Sequence, residues 1–200
     1  KNELIKRIIS SVVLLPIIIF IIIKGSIYFN IFLLFCFVII SFEWYRMNKK
    51  KIYNIIGFLF LLFSFYSIYK LRNYYNDDYI FFLFIILICI STDLGGYIFG
   101  KLLKGPKLTK LSPNKTYAGV IGSYLLSIFL VSIFYKTNLK TDLLINFNLN
   151  IYFFTILVST ISQCGDIIIS YFKRLSKIKD TGNIIPGHGG LLDRFDGMIF

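Results

Sequence analysis

The chain has 200 residues, 56% of them hydrophobic and 16% charged, with a mean hydropathy of +0.74 and a formal net charge of +12. Soluble domains run at about 45–50% apolar and about 25% charged residues, so a water-soluble domain is excluded and an integral membrane protein is indicated. Residues 1–200 suit a single membrane domain, and no nucleic-acid motif accompanies the positive charge.

A spanning helix needs about 20 mostly apolar residues. Six segments meet this, at 8–23, 26–45, 52–69, 79–99, 117–135 and 151–172, and a seventh is expected to begin near Leu191. The expected fold is all-α: a multi-pass transmembrane helical bundle of six to seven or more spans, with a cytosol-facing polar site. Pro16 removes a helix donor and predicts a kink in the first segment. That segment lacks a small-residue cleavage site and runs directly into Lys24, so it reads as a span and not as a removed signal. The sequence opens on Lys1 and stops at Phe200 inside an apolar stretch, so trimming is expected, at the C-terminal end above all.

Orientation follows from the cations. With residues 1–7 in the cytosol, alternation puts 17 of the 22 Lys and Arg residues on the cytosolic side, in the N-terminal segment and the stretches around 46–51, 101–115 and 173–194. The N-terminus and the polar loops are therefore expected to face the cytosol. The bland account of the net charge is this topology signal plus attraction to anionic headgroups, and it covers the run Lys49–Lys51. The absence of an internal repeat gives inverted-repeat transporter architecture no support. Cys36, Cys89 and Cys164 sit singly in apolar runs and read as small core residues, with neither metal-ligand nor disulfide spacing.

Ionisable groups inside apolar segments are costly and mark function; here they are Glu43, Asp93 and Asp166. Glu43 precedes Trp44 and Tyr45, which read as interfacial anchors. It is open between a functional role and simple snorkelling or pairing with Arg46. Asp93 and Tyr97 share a helical face, while Gly96 and Gly100 form a small-xxx-small pair suited to close helix packing. After a basic loop, Ser112-Pro113-Asn114-Lys115-Thr116 reads as a turn whose hydroxyls and lysine suit phosphate oxygens.

Ser162, Asp166, Ser170 and Arg174 recur every four residues and so lie along one helical face. The bland alternative is a helix–helix seam of hydroxyls. The last stretch crowds cations, carboxylates and glycines: Lys173-Arg174, Lys179-Asp180, Pro186-Gly187-His188-Gly189-Gly190 and Asp193-Arg194-Phe195-Asp196. Glycine lets backbone approach a ligand closely, cations suit phosphate, and carboxylates suit Mg²⁺. Asp193 and Asp196 share a face on a helix, and with Asp166 they supply three carboxylates for a metal. The bland alternative for these acids is surface pairing with Arg194 and Lys179.

The terminal stretch resembles the signature of the phosphatidate cytidylyltransferase (CDP-diacylglycerol synthase) family at Ser170, Lys173-Arg174, Lys179-Asp180, Gly182, Pro186, His188-Gly189-Gly190, Asp193-Arg194 and Asp196. Upstream, Asp93 through Gly100, Ser112-Pro113 with Lys115-Thr116, and Gly165-Asp166 are similar to family blocks in the same order, with weaker matches at Arg7, Pro16 and Glu43. The chain departs from the family pattern at Ala118 and Gly197.

The resemblance implies a Mg²⁺-dependent enzyme, often dimeric, that joins CTP and phosphatidic acid into CDP-diacylglycerol and pyrophosphate. By that similarity Asp166 and Asp193, with Asp196 a further candidate, are the metal ligands, and Lys173 and Arg174 belong to the catalytic set. Asp93, Ser112, Lys115, Thr116, Ser170, Lys179, His188, Gly189, Gly190 and Arg194 are expected to bind substrate. A polyprenol kinase of the dolichol-kinase type, which shares part of the terminal motif, is the nearest rival. A cation transporter using the three intramembrane acids is the rival from another class.

Overall fold

A computed structural model describes residues 16–48, 53–73, 79–109, 112, 115–136, 150–182, 184 and 189–200. Residues 16–24 are helical, followed by α1 (Ser26–Met47), α2 (Tyr53–Asn73), α3 (Tyr79–Leu103), α4 (Tyr117–Lys136), α5 (Ile151–Leu175) and the short α6 (Leu192–Phe195). The described residues are helical apart from their connections, with one isolated antiparallel bridge, Lys107 to Thr116. In lipid every backbone polar group must be satisfied within its own segment, which these apolar sequences achieve only as helices.

Five of the helices, α1 to α5, are long and apolar enough to cross a membrane. The expected first span is described only from Pro16 onward, and that part is helical. The expected seventh span is not found among the described residues: Leu191 opens a four-residue helix followed by a turn at 196–198. Asp193, Arg194 and Asp196 interrupt the apolar run there, and the two carboxylates engage Lys173. Five of the expected segments are longer as helices, as at 79–103 against 79–99.

The helices belong to two compact units, one from residues 1–79 and 172–199, the other from 80–171 with Phe200. In the first, α1 packs on α2. Phe37 meets Phe58 and Phe65 with ring centroids 6.0 and 5.3 Å apart. Trp44 donates from Nε1 to Asn54 O at 3.2 Å, and its indole fills the space where a side chain at Gly57 would stand. Trp44 is buried and also packs edge-on against Phe172, so it is a packing residue and not an interfacial anchor. The break before α1 falls at Gly25 and Ser26, both at positive φ. Buried Arg72 closes it, donating from Nε and Nη2 to Ile22 O at 3.1 and 2.9 Å.

In the second unit, α3 and α4 approach through small residues. A methyl group at Gly95 would lie 2.5 Å from Gly122 O and 2.8 Å from Ser123 Cα, and one at Gly119 would lie 2.9 Å from Gly96 O. The expected small-residue seam at Gly96 and Gly100 is therefore present, widened by Gly95, Gly119 and Gly122. Ser123 donates to Thr92 O at 2.7 Å, and Thr92 donates to Ser159 Oγ at 2.9 Å, tying α3 to α4 and α5. Cys36 and Cys89 are buried as expected; Cys164 is exposed on α5 and is no core residue.

Candidate active site

The second unit carries Asp166 and the loop between α3 and α4. That loop is a narrow turn: Leu108 N–H donates to Lys115 O at 2.8 Å, and Tyr117 N–H to Pro106 O at 3.2 Å. Lys115 N–H donates to Ser112 O at 3.1 Å, so Ser112 sits at the corner. Thr116 is the N-cap of α4, its hydroxyl accepting from Gly119 N–H at 3.1 Å. The cap fixes the direction in which Lys115 leaves the helix. Lys115 Nζ reaches Asp166 Oδ2 at 2.7 Å and Gln163 O at 3.4 Å. Two blocks 51 residues apart in sequence are thereby joined within one unit. Asp166 Oδ1 is buried and has no hydrogen-bond partner among the described residues. A buried oxygen of this kind costs free energy unless something supplies the missing positive charge or donor.

Asp93 is exposed on α3 and has an interacting partner. Ser170 is half-buried on α5, one turn beyond Asp166, and Ser162 is buried one turn before it. The polar stripe read from the sequence therefore grades from buried Ser162 to exposed Arg174.

The first unit carries the terminal motif. Helix α5 ends in a Schellman arrangement, with Ile178 N–H donating to Lys173 O and Lys177 N–H to Arg174 O, both at 3.0 Å. Lys177 takes the left-handed conformation, φ 56°, usually left to glycine. Beyond this stop the chain folds back over Asp193. Asp193 Oδ2 accepts from Thr181 N–H at 2.8 Å and Gly190 N–H at 3.1 Å, while Oδ1 meets Lys173 Nζ at 3.0 Å. Lys173 also lies 3.8 Å from Asp196 Oδ2, so one ammonium serves both acids. Their shared face is real, and Lys173 is a cation on it. Gly189 holds φ 88°, and a methyl group there would press on Asp193 Oδ2 at 3.2 Å. That position needs glycine.

Lys179 and Arg194 are exposed, and Arg174 is exposed with Nη1 donating to Ile178 O at 3.5 Å. His188, Pro186, Gly187 and Pro113 lie outside the described residues. Among the described residues no group of three or more His, Cys, Asp or Glu side chains is gathered tightly enough to hold a metal ion. Asp166 nevertheless suits a hard cation, because one of its oxygens is left unmatched. Asp193 is more fully satisfied, by an ammonium and two amides.

The residue that sequence reasoning undervalued is Glu43. It neither snorkels nor pairs with Arg46: it is 2% exposed and accepts three hydrogen bonds from the terminal motif. The available signal was its place as an acid inside an apolar segment.

A model of the cytidylyltransferase family matches residues 52–200. The phosphatidate cytidylyltransferase of Rickettsia bellii is 34% identical over 209 residues, covering 100% of this chain and 87% of that protein. The one from Rickettsia conorii is 36% identical, with 100% and 88% covered. The one from Staphylococcus haemolyticus is 41% identical over 131 residues, covering 62% of this chain and 47% of that protein. The chain belongs to the cytidylyltransferase family.

Proposed function

We propose that the chain is a phosphatidate cytidylyltransferase, moving CMP from CTP to phosphatidic acid with release of pyrophosphate. The supporting observation is Asp166, whose one oxygen is neutralised by Lys115 while the other is buried and open to a further positive partner. Family membership and full-length similarity to relatives bearing that name agree with it.

The phosphate of the lipid is already a competent nucleophile near neutral pH, so the reaction demands no strong general base. Its oxygen attacks the α-phosphorus of CTP in line. A new phosphorus–oxygen bond forms, the bond to the bridging oxygen of the β-phosphate breaks, and pyrophosphate carries away the electron pair. Charge grows on the leaving oxygens, where fixed cations are most valuable. Lys173, Arg174, Lys179 and Arg194 are the proposed clamp for the triphosphate, with Lys115, Ser112 and the hydroxyl of Thr116 as further phosphate contacts. Asp166 and Asp193, with Asp196 in reserve, are the proposed Mg²⁺ ligands. Bound there, the ion would neutralise phosphate charge.

The acyl chains would stay in the bilayer and CTP would arrive from the cytosol, a sidedness resting on the cation distribution alone. A homodimer rests on family resemblance alone. Purified protein supplied with CTP labelled at either the α- or the γ-phosphate, with phosphatidic acid and with dolichol, tests the reading. Label from the α-phosphate should enter the phosphatidic acid product. Label passing from the γ-phosphate into dolichol would reject this function in favour of a polyprenol kinase.

A further inference from the structure

We infer that Glu43 is a positioning residue for this reaction: from α1 it holds the terminal motif in the shape that orients Asp193. The inference rests on the transfer activity proposed above. Glu43 precedes the residues that the family model matches, and it stands 138 to 149 positions from its partners in sequence. Its Oε2 accepts from the Thr181 hydroxyl at 2.9 Å and from Leu192 N–H at 2.8 Å, and its Oε1 from Leu191 N–H at 3.0 Å. All three are donors, the complement of a carboxylate. Burying such a group without matched partners is expensive, so the motif and the acid hold each other.

The glycines of the motif fit this reading. A methyl group at Gly182 would stand 2.8 Å from Glu43 Oε1, and one at Gly190 2.7 Å from Oε2. The backbone has room to wrap the carboxylate only because both side chains are missing.

The link to Asp193 runs through shared neighbours. Thr181 gives its hydroxyl to Glu43 and its N–H to Asp193. Gly190 N–H goes to Asp193, and the next two amides go to Glu43. Two acids thus divide one stretch of backbone between them. Removing Glu43 frees Thr181, Leu191 and Leu192 together, and Asp193 then loses the frame that aims it at Lys173.

The experiment measures two things on the full chain: hydrogen exchange of residues 180–193, and kcat and KM for pyrophosphate release from CTP and phosphatidic acid. In Glu43→Ala, exchange protection over 180–193 should be lost while that of α3 is retained, and kcat should fall by roughly 10²-fold, the cost of misplacing a reacting group by about 1 Å. Glu43→Gln keeps one acceptor oxygen and should recover part of both. Thr181→Val removes the hydroxyl at similar size and should lower kcat by about 5-fold, the worth of one ordinary hydrogen bond; it decides the matter if Glu43→Ala does not fold. Unchanged exchange in Glu43→Ala overturns the anchor. Wild-type kcat in the folded fraction of Glu43→Ala or in Thr181→Val overturns the positioning role. If the wild-type protein itself releases no pyrophosphate, the proposed function falls, and the exchange measurement alone then decides the anchor.

Discussion

Lys115 and Asp166 meet at 2.7 Å, the lysine leaving the capped start of α4 and the aspartate standing on α5. Their side chains are 26% and 16% exposed, so the pair is partly withdrawn from water. Lys115→Met should therefore lower stability by about 1–3 kcal/mol, because it strands a half-buried carboxylate. A double-mutant cycle with Asp166→Asn, followed by thermal unfolding in detergent, should show non-additivity of about 1 kcal/mol or more. Additive effects would mean that the ion pair does not couple the two blocks.

Asp166→Asn is expected to insert in the membrane normally and to lose turnover by at least about 10²-fold, since the amide can neither pair equally well with Lys115 nor hold a divalent cation. Pyrophosphate release from reconstituted vesicles measures it. Near-wild-type turnover would take Asp166 out of the active site.

Chelating divalent cations should abolish pyrophosphate release, and added Mg²⁺ should restore it. The direct partner of this test is metal binding without turnover. Mn²⁺ titrated into the protein should give a bound electron-spin signal that weakens in Asp166→Asn. Equal signals in both proteins would remove that carboxylate from the metal site.

Gly190→Ala should destabilise the terminal motif by about 1–3 kcal/mol, the usual penalty for overpacking. The added methyl would collide with the Thr181 hydroxyl and press on Glu43 Oε2 and Gly182 N, and little of that surrounding is free to move. Loss of exchange protection around 181–193 with α3 and α4 unaffected is the expected signature.

Gly95→Val should force α3 and α4 apart, because Gly122 O and Ser123 Cα already occupy the space a side chain needs. Packing of this kind holds helices together where lipid offers no hydrophobic drive. A drop in thermal stability in detergent, larger than that from Leu94→Val on the exposed part of the same helix, checks it.

Much of this was legible in the sequence because membrane physics is local. An apolar run of the right length must be a helix, so α1 to α5 fall where hydropathy places them. The Gly96 and Gly100 spacing likewise announced a close contact. A seventh span was expected near Leu191 because Leu191 and Leu192 look like the beginning of an apolar run; among the described residues they belong to the short α6. Leu192 is indeed buried, but it anchors a polar turn. Trp44 was assigned to the wrong surroundings for a related reason. In a helix hydrophobic on every side, sequence does not say which face meets protein and which meets lipid.

By itself the sequence determined the class of molecule, the positions of its long helices and the set of acids, cations and glycines available for phosphate chemistry. Each of those follows from composition and spacing along the chain. Only the tertiary structure decided which charge meets which: Lys115 with Asp166, Lys173 between Asp193 and Asp196, and Glu43 beneath the terminal motif. Pairings between residues 20 to 149 positions apart depend on how helices and loops pack, and no periodicity records them.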